Sequence, residues 1–556
     1  MTDNPPPNDN QSAADNAPGG DGQPPKLLDF QQERIRVLHF TWIAFFMTFY
    51  VWFNLAPLAT TMRDDVDWLT KEHIKVLLIA NVALTIPARI VVGALIDRFG
   101  ARVVFSWLMV IMSIPAILFA FSDTFTQMLI SRLALSCVGA GFVIGIKMVA
   151  QWFPPKYIGR TEGFYAGWGN FGSAWAAMTL PWVALTFFGD WLGLGDDSWR
   201  WAMALNGLVM GVYGVMYYFL VTDVPDGRTL AKSKKAEPMM VTSYWDLAQY
   251  LFWSIPLVGA LGLLAWRVSN VEVDGDVIMS DTGLYVIYAV LALVYVGHVI
   301  RTLQVNLPYL RAGVPEDEKY HFGSVVALNS TYFANFGAEL AVVSMLPTFY
   351  ENVFEPLTNS AGQPIVTATV AGFVAASFAF VNLVARPLGG YLSDKLPNRK
   401  RTMLGYIFGI VIGFVFMGLI AKWATGVDED GLKNLVPAFD GLTWLVIAVV
   451  FTVIASIFVQ GAEGATFAII PMVNKRMTGQ VAGMAGAYGN VGAVVYLVIY
   501  SLVDARTFFF ILAAGALISF VITLVMLEEP KGAYAAEFDD EDGESVPAVG
   551  APTTDT

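Results

Sequence analysis

Long apolar runs, broken by short polar turns, fill most of this chain. Runs at 38–60, 74–96, 103–121, 128–153, 163–188 and 202–221 each approach the roughly 20 residues with which a helix crosses a bilayer. A hydrophilic stretch follows at 222–244. Two more apolar runs, 247–266 and 284–300, precede a second polar loop that carries Arg311 and the charged residues of 315–319. Six further runs lie at 324–349, 366–392, 403–421, 442–470, 481–502 and 508–526. The pattern predicts an all-α polytopic membrane protein: two six-helix bundles, 37–222 and 322–528, separated by a linker, 223–321, with an inserted transmembrane hairpin at about 247–300. That makes about fourteen spanning helices. Two such halves are a transporter architecture, whose substrate site is expected near the midplane between them.

Composition supports the membrane reading. Only 14% of the 556 residues are charged, against about a quarter in soluble proteins, and the mean hydropathy is +0.56. The net charge of −13 sits largely outside the apolar runs, much of it in the acidic segment 537–544. No basic cluster points to nucleic acid as a partner. The single cysteine, Cys137, allows no intrachain disulfide, and His39, His73, His298 and His321 are scattered without ligand spacing. No cofactor or metal is implied. The ends, 1–36 and the acidic 529–556, are expected to be disordered tails, and the first lacks the features of a signal peptide.

Orientation follows from lysine and arginine near the helix ends. Arg98 and Arg102, Lys156 and Arg160, Arg228 with Lys232, Lys234 and Lys235, Lys395 with Arg399, Lys400 and Arg401, and Lys475 with Arg476 all fall on one side. The opposite loops hold Asp64, Asp65, Asp67, Asp190, Asp196, Asp197, Asp274, Asp276, Asp428 and Asp430. The basic side is expected to be cytoplasmic, with both termini there, in a plasma or bacterial inner membrane.

The chemistry lies in two repeats. The stretch 86–102, IPARIVVGALIDRFGAR, returns at 383–401 as LVARPLGGYLSDKLPNRKR. Ala88-Arg89, Gly93 and Asp97-Arg98 recur as Ala385-Arg386, Gly390 and Asp394-Lys395 at the same offsets. Arginine inside a membrane helix is costly and marks a functional site by default. Snorkelling to the interface accounts for Arg98 or Lys395 but poorly for Arg89 and Arg386, each about two turns inside the charged turn. Two arginines at matching positions point to two halves facing one anion. Asp97, Arg98 and Arg102, echoed by Asp394 and Lys395, fit a cytoplasmic latch.

The second repeat reads Gly163-x-x-x-Gly167-Trp-Gly169-Asn170-Phe-Gly172, and then Gly483-x-x-x-Ala487-Tyr-Gly489-Asn490-Val-Gly492. Gly167–Gly172 formally spells a dinucleotide-binding fingerprint, but that motif needs a preceding strand and an acidic residue about 20 positions on. Its flanks here are membrane helix, and position 189 is glycine. Close helix packing explains the glycines. The paired asparagines are the added signal.

The charged turn resembles the loop signature of the major facilitator superfamily. With the glycine–asparagine pair and the two arginines, the chain resembles the NarK-type nitrate/nitrite porters of that superfamily, over about 38–526. The resemblance implies that Arg89 and Arg386 clasp nitrate or nitrite and that Phe142, Tyr332 and Phe336 sandwich the planar anion. The inserted pair departs from the twelve-helix pattern. Independently, a planar, bidentate guanidinium suits a planar oxyanion better than lysine, and Asn170 and Asn490, beside Gly169 and Gly489, could donate to its remaining oxygens. Without the resemblance, ordinary core packing would explain the three aromatics.

Three more charges lie in the apolar runs: Lys147, Glu339 and Glu463. Glu339 reads equally as a proton carrier or as half of a buried pair with Lys147. Arg132 reads as structural. Two unneutralised arginines in an empty site repel, which favours obligatory nitrate/nitrite antiport. A proton on Glu339 or Glu463 would instead allow proton-coupled nitrate uptake. A carrier for another small anion, or a non-transporting sensor, remains open, and an enzyme is not expected.

Overall fold

A computed structural model describes residues 26–153, 155–225, 238–273, 275–315, 319–427, 431–473 and 477–529. Most of both predicted tails, the cluster Arg228, Lys232, Lys234 and Lys235, and Asp274, Asp428, Asp430, Lys475 and Arg476 lie outside the described residues, as do the side chains of Asp97, Asp394, Lys156 and Arg160.

Thirteen helical segments among the described residues are long and apolar enough to cross a membrane. In chain order the first six are α1 (Glu33–Asp65), α2 (Lys71–Gly93), α3 (Ala101–Ala120), α4 (Phe125–Trp152), α5 (Thr161–Trp191) and α6 (Gly195–Leu220). The inserted pair is α7 (Tyr244–Ser269) and α8 (Asp281–Ala312). After α9 (Phe322–Phe354) come α10 (Ala368–Ser393), α11 (Arg399–Leu419), α12 (Leu442–Ile470), α13 (Gln480–Tyr500) and α14 (Ala505–Met526). The helix α9 falls short of the thirteen in apolarity, not in length: its 33 residues reach about 50 Å at 1.5 Å per residue. It carries Asn329, Thr331, Tyr332, Asn335 and Glu339, and 27 of its residues are buried. A helix surrounded by other helices escapes the demand for apolar side chains that lipid makes.

The same pairing recurs in both groups of six. In the first, α1 packs on α5 and α3 on α6; in the second, α9 packs on α13 and α11 on α14. The groups meet where α5 packs on α10 and α2 on α13. These joints surround the repeated arginines. Short two-stranded ribbons, β1–β2 (Glu272–Val273, Asp276–Val277) and β3–β4 (Ala421–Val427, Lys433–Pro437), cap loops at the end remote from the termini.

The inserted pair leans on the α2–α13 joint through α7, while α8 buries only Leu284, Thr302 and Asn306. At its start α7 is tied to the second group: Asp246 Oδ1 accepts from the Phe322 amide at 3.2 Å, and Thr242 donates to the Tyr320 carbonyl at 2.7 Å. At its other end Arg267 pairs with Glu72 of α2 at 2.7 Å and donates to Ser501, just past α13, at 2.8 Å.

Candidate functional site

Each arginine sits just past a break in its helix. The helical run of α2 is interrupted at Leu84 and that of α10 at Val381, each five residues before the arginine. Proline accounts for the first interruption, whereas Pro387 lies inside the helix that resumes after the second. Pro87 has no N–H to offer the carbonyl of Ala83, next to the Leu84 break. Near the first break Ser136 of α4 accepts twice, its Oγ from the Leu84 amide at 3.1 Å and its carbonyl from Thr85 Oγ1 at 2.5 Å.

Both guanidinium groups are buried, Arg89 at 4% and Arg386 at 2% exposure. They address the same two phenyl rings from opposite halves. The Cζ of Arg89 lies 5.3 Å from the Phe142 ring centre and 5.7 Å from that of Phe336. The Cζ of Arg386 lies 5.7 and 5.8 Å from those same centres. Tyr332 stacks on Phe336 at 5.0 Å and an interplanar angle of 14°. Arg386 Nη2 donates to the Tyr332 hydroxyl at 2.9 Å. Phe142, Tyr332 and Phe336 are thus gathered around the two cations. The sequence reading missed Phe467 of α12, which meets Tyr332 edge-on at 5.2 Å and Phe142 at 5.6 Å.

The counter-charges lie on one side only. Arg386 Nη1 is 2.6 Å from Glu463 Oε2, an ion pair with both partners buried. Glu463 also lies within electrostatic reach of Glu339, whose Oε1 accepts from Asn382 Nδ2 at 2.5 Å. Arg89 has a neutral partner: its Nη1 donates to the Gly486 carbonyl of α13 at 2.5 Å. Its Nε and Nη2, though buried, have no partner among the described residues. The sequence left both arginines unneutralised. Two such charges facing one site repel, and Glu463, paired with Arg386, removes much of that repulsion. Lys147 is not brought into this group: it is exposed, whereas Glu339 is buried.

The repeated glycines place the helices around the site. A Cβ at Gly169 would collide with the ring of Phe45 on α1, and one at Gly172 with the Phe46 carbonyl. In the second half, a Cβ at Gly489 would collide with Phe336 and Tyr332, and one at Gly492 with the Phe333 carbonyl of α9. Both motifs therefore do the same work, α5 on α1 and α13 on α9. Gly167 meanwhile lets α5 approach the Asn382 carbonyl across the joint. Among the described residues, buried Asn170 has a partner for neither side-chain polar atom, while Asn490 Nδ2 donates to the Gly486 carbonyl at 3.1 Å and its Oδ1 has none. Buried polar atoms are normally hydrogen-bonded. Orphaned donors and acceptors on Arg89, Asn170 and Asn490 match a site that takes a small polar ligand.

The latch residues are placed only in part. Arg98 and Lys395 are exposed, and the Arg102 guanidinium lies 4.8 Å from the Tyr218 ring centre. Two carboxylates that hold these turns were not foreseen. Asp223, three residues past α6, accepts from the Arg102 amide at 2.8 Å. Glu529, three residues past α14, accepts from the amides of Arg399 at 2.9 Å and Lys400 at 2.8 Å. Arg132 is fully buried and donates from both terminal nitrogens to Asn54 Oδ1 at 2.9 Å, in keeping with a structural role.

Two six-helix halves closing on a buried, cationic, aromatic-lined site define a two-half membrane carrier. A family model described as Major Facilitator Superfamily matches residues 41–315 and 325–551. The nitrate/nitrite transporter NrtP of Nostoc punctiforme is 41% identical over 525 residues, covering 94% of this chain and 97% of its own. The probable nitrate/nitrite antiporter NarK1 of Thermus thermophilus is 23% identical over 515 residues, covering 90% and 93%. Among solved structures, a D-xylose-proton symporter superimposes with a TM-score of 0.55 at 13% identity, covering 89% of this chain and 98% of that one, a likeness of fold alone. The chain belongs to the major facilitator superfamily and, within it, to the nitrate/nitrite porters.

Proposed function

We propose that this chain carries nitrate and nitrite across the membrane by alternating access, exchanging one for the other, and is not an enzyme. The observation that carries the reading is the pair of arginines, one from each half, over the same two phenyl rings. A planar monovalent oxyanion lying between the Phe142 and Phe336 rings would accept from both guanidinium groups in its own plane. A tetrahedral sulfate or phosphate would meet the rings with an out-of-plane oxygen. Asn490 shares the Gly486 carbonyl with Arg89, and Asn170 is its counterpart in the repeat, so these two amides would serve the remaining oxygens. Exchange as the principal mode is supported by the antiporter name of the Thermus relative. The basic helix ends support a cytoplasmic location for both termini.

The test is nitrate uptake by the purified chain in proteoliposomes loaded with nitrite, against a panel of competing anions. Nitrite and nitrate should compete, tetrahedral sulfate and phosphate should not, and acetate, planar and monovalent but with a methyl group in place of an oxygen, should compete only weakly. Equal competition by acetate would move the site to small carboxylates. No movement of any anion would remove the carrier reading.

A further inference from the structure

Glu463 takes one terminal nitrogen of Arg386, so an anion reaching that guanidinium must compete with it. Its Oε2 lies 2.6 Å from Arg386 Nη1, while Nη2 of the same guanidinium is held by the Tyr332 hydroxyl. Glu463 is fully buried. The groups facing it are Arg386 of α10 and Glu339 of α9. Asn382 grips Glu339 and holds that second carboxylate in place beside the pair. Arg89 has no such internal anion. It leans on a backbone carbonyl and keeps two nitrogens unpartnered. The site is therefore asymmetric: one arginine is neutralised from within, the other waits.

We propose that Glu463 is an internal counter-ion that stands in for the transported anion on Arg386 and lets the unloaded carrier close and return. This rests on the nitrate/nitrite reading and adds an activity to it, namely net transport without a counter-anion. A buried cation left without a partner is strongly unfavourable, so a carrier with two bare arginines could close only when loaded and could only exchange. With Glu463 on Arg386, the empty site closes around one compensated arginine and one that is hydrogen-bonded. The transported anion and the Glu463 carboxylate are then alternative counter-ions for one guanidinium. The neighbouring Glu339 weakens the internal pair by like-charge repulsion, so an arriving anion can displace it. Exchange of two monovalent anions moves no net charge, whereas net uptake moves one negative charge per cycle.

The experiment uses the full chain in proteoliposomes at equal pH on both sides, with nitrate outside. The interior holds either nitrite or no permeant anion, and a potassium–valinomycin potential is set positive inside. The wild-type chain should fill the vesicles that lack a counter-anion and should do so faster under the potential. Exchange with no such net uptake overturns the proposal while leaving the carrier reading intact. Failure of both fluxes defeats the carrier reading itself. In Glu463→Gln the internal competitor is gone, so nitrate should bind more tightly and the ratio of net uptake to exchange should fall about tenfold or more. Glu463→Asp restores the charge and should recover much of the ratio, which a merely structural role would not require. A wild-type ratio in a folded Glu463→Gln chain, or loss of exchange together with net uptake, overturns the assignment.

Discussion

Lysine is a poor substitute for arginine at either position of the clasp. Arg89→Lys and Arg386→Lys keep the charge but lose the planar fork. Each gives up a charge-assisted hydrogen bond to the anion worth about 1.5–3 kcal/mol, so nitrate affinity should fall roughly tenfold to a hundredfold. Calorimetric titration of the purified variants reads this directly, and wild-type affinity in either would remove the two-arginine clasp. These residues were legible in the sequence because a charge in an apolar run is conspicuous, and a second one at the same place in a repeat is more so. Their partners were not. The Gly486 carbonyl that receives Arg89 is backbone and leaves no mark on a sequence. Phe467 is one phenylalanine among 39 until the register of α12 against α4 and α9 is known. The pairing of Glu463 with Arg386, rather than Glu339 with Lys147, depends on which helices are neighbours. Asn382 did leave a signal, a polar side chain one turn ahead of Arg386.

At the scale of elements, the hydropathy pattern located the spans because lipid imposes it. It described α9 less well as a span than the others, since that helix answers to its neighbours instead. The carboxylate caps were invisible for a different reason: each closes a helix about 120 or 130 residues away in the chain. They occupy equivalent places, Asp223 after α6 holding the start of α3, and Glu529 after α14 holding the start of α11. A side-chain acceptor at a helix start is worth about 1 kcal/mol. Asp223→Ala and Glu529→Ala should therefore each lower stability by about that much, additively when combined, because the sites lie in different halves. Thermal unfolding in detergent, followed by intrinsic fluorescence, measures the loss. A combined effect well beyond the sum would mean that the two caps report on one shared conformational state.

For the whole molecule, an even number of crossings returns the chain to the side on which it began, and the proposed orientation puts that side in the cytoplasm. A fluorescent protein fused after Thr556 should therefore be bright in cells, and a phosphatase fused there inactive. The reverse pattern would invert the topology. The two halves also preserve a record of their origin. Arg386 follows Arg89 by 297 positions, yet Asn490 follows Asn170 by 320. The slippage between those two repeats accumulates largely between α11 and α12, where β3 and β4 occupy a turn that is only a few residues long between α3 and α4. The chain thus carries an ancestral duplication whose copies stayed in step through the arginine helices and diverged at an outlying loop. The α7–α8 pair lies at the seam between the copies, where it interrupts neither repeat.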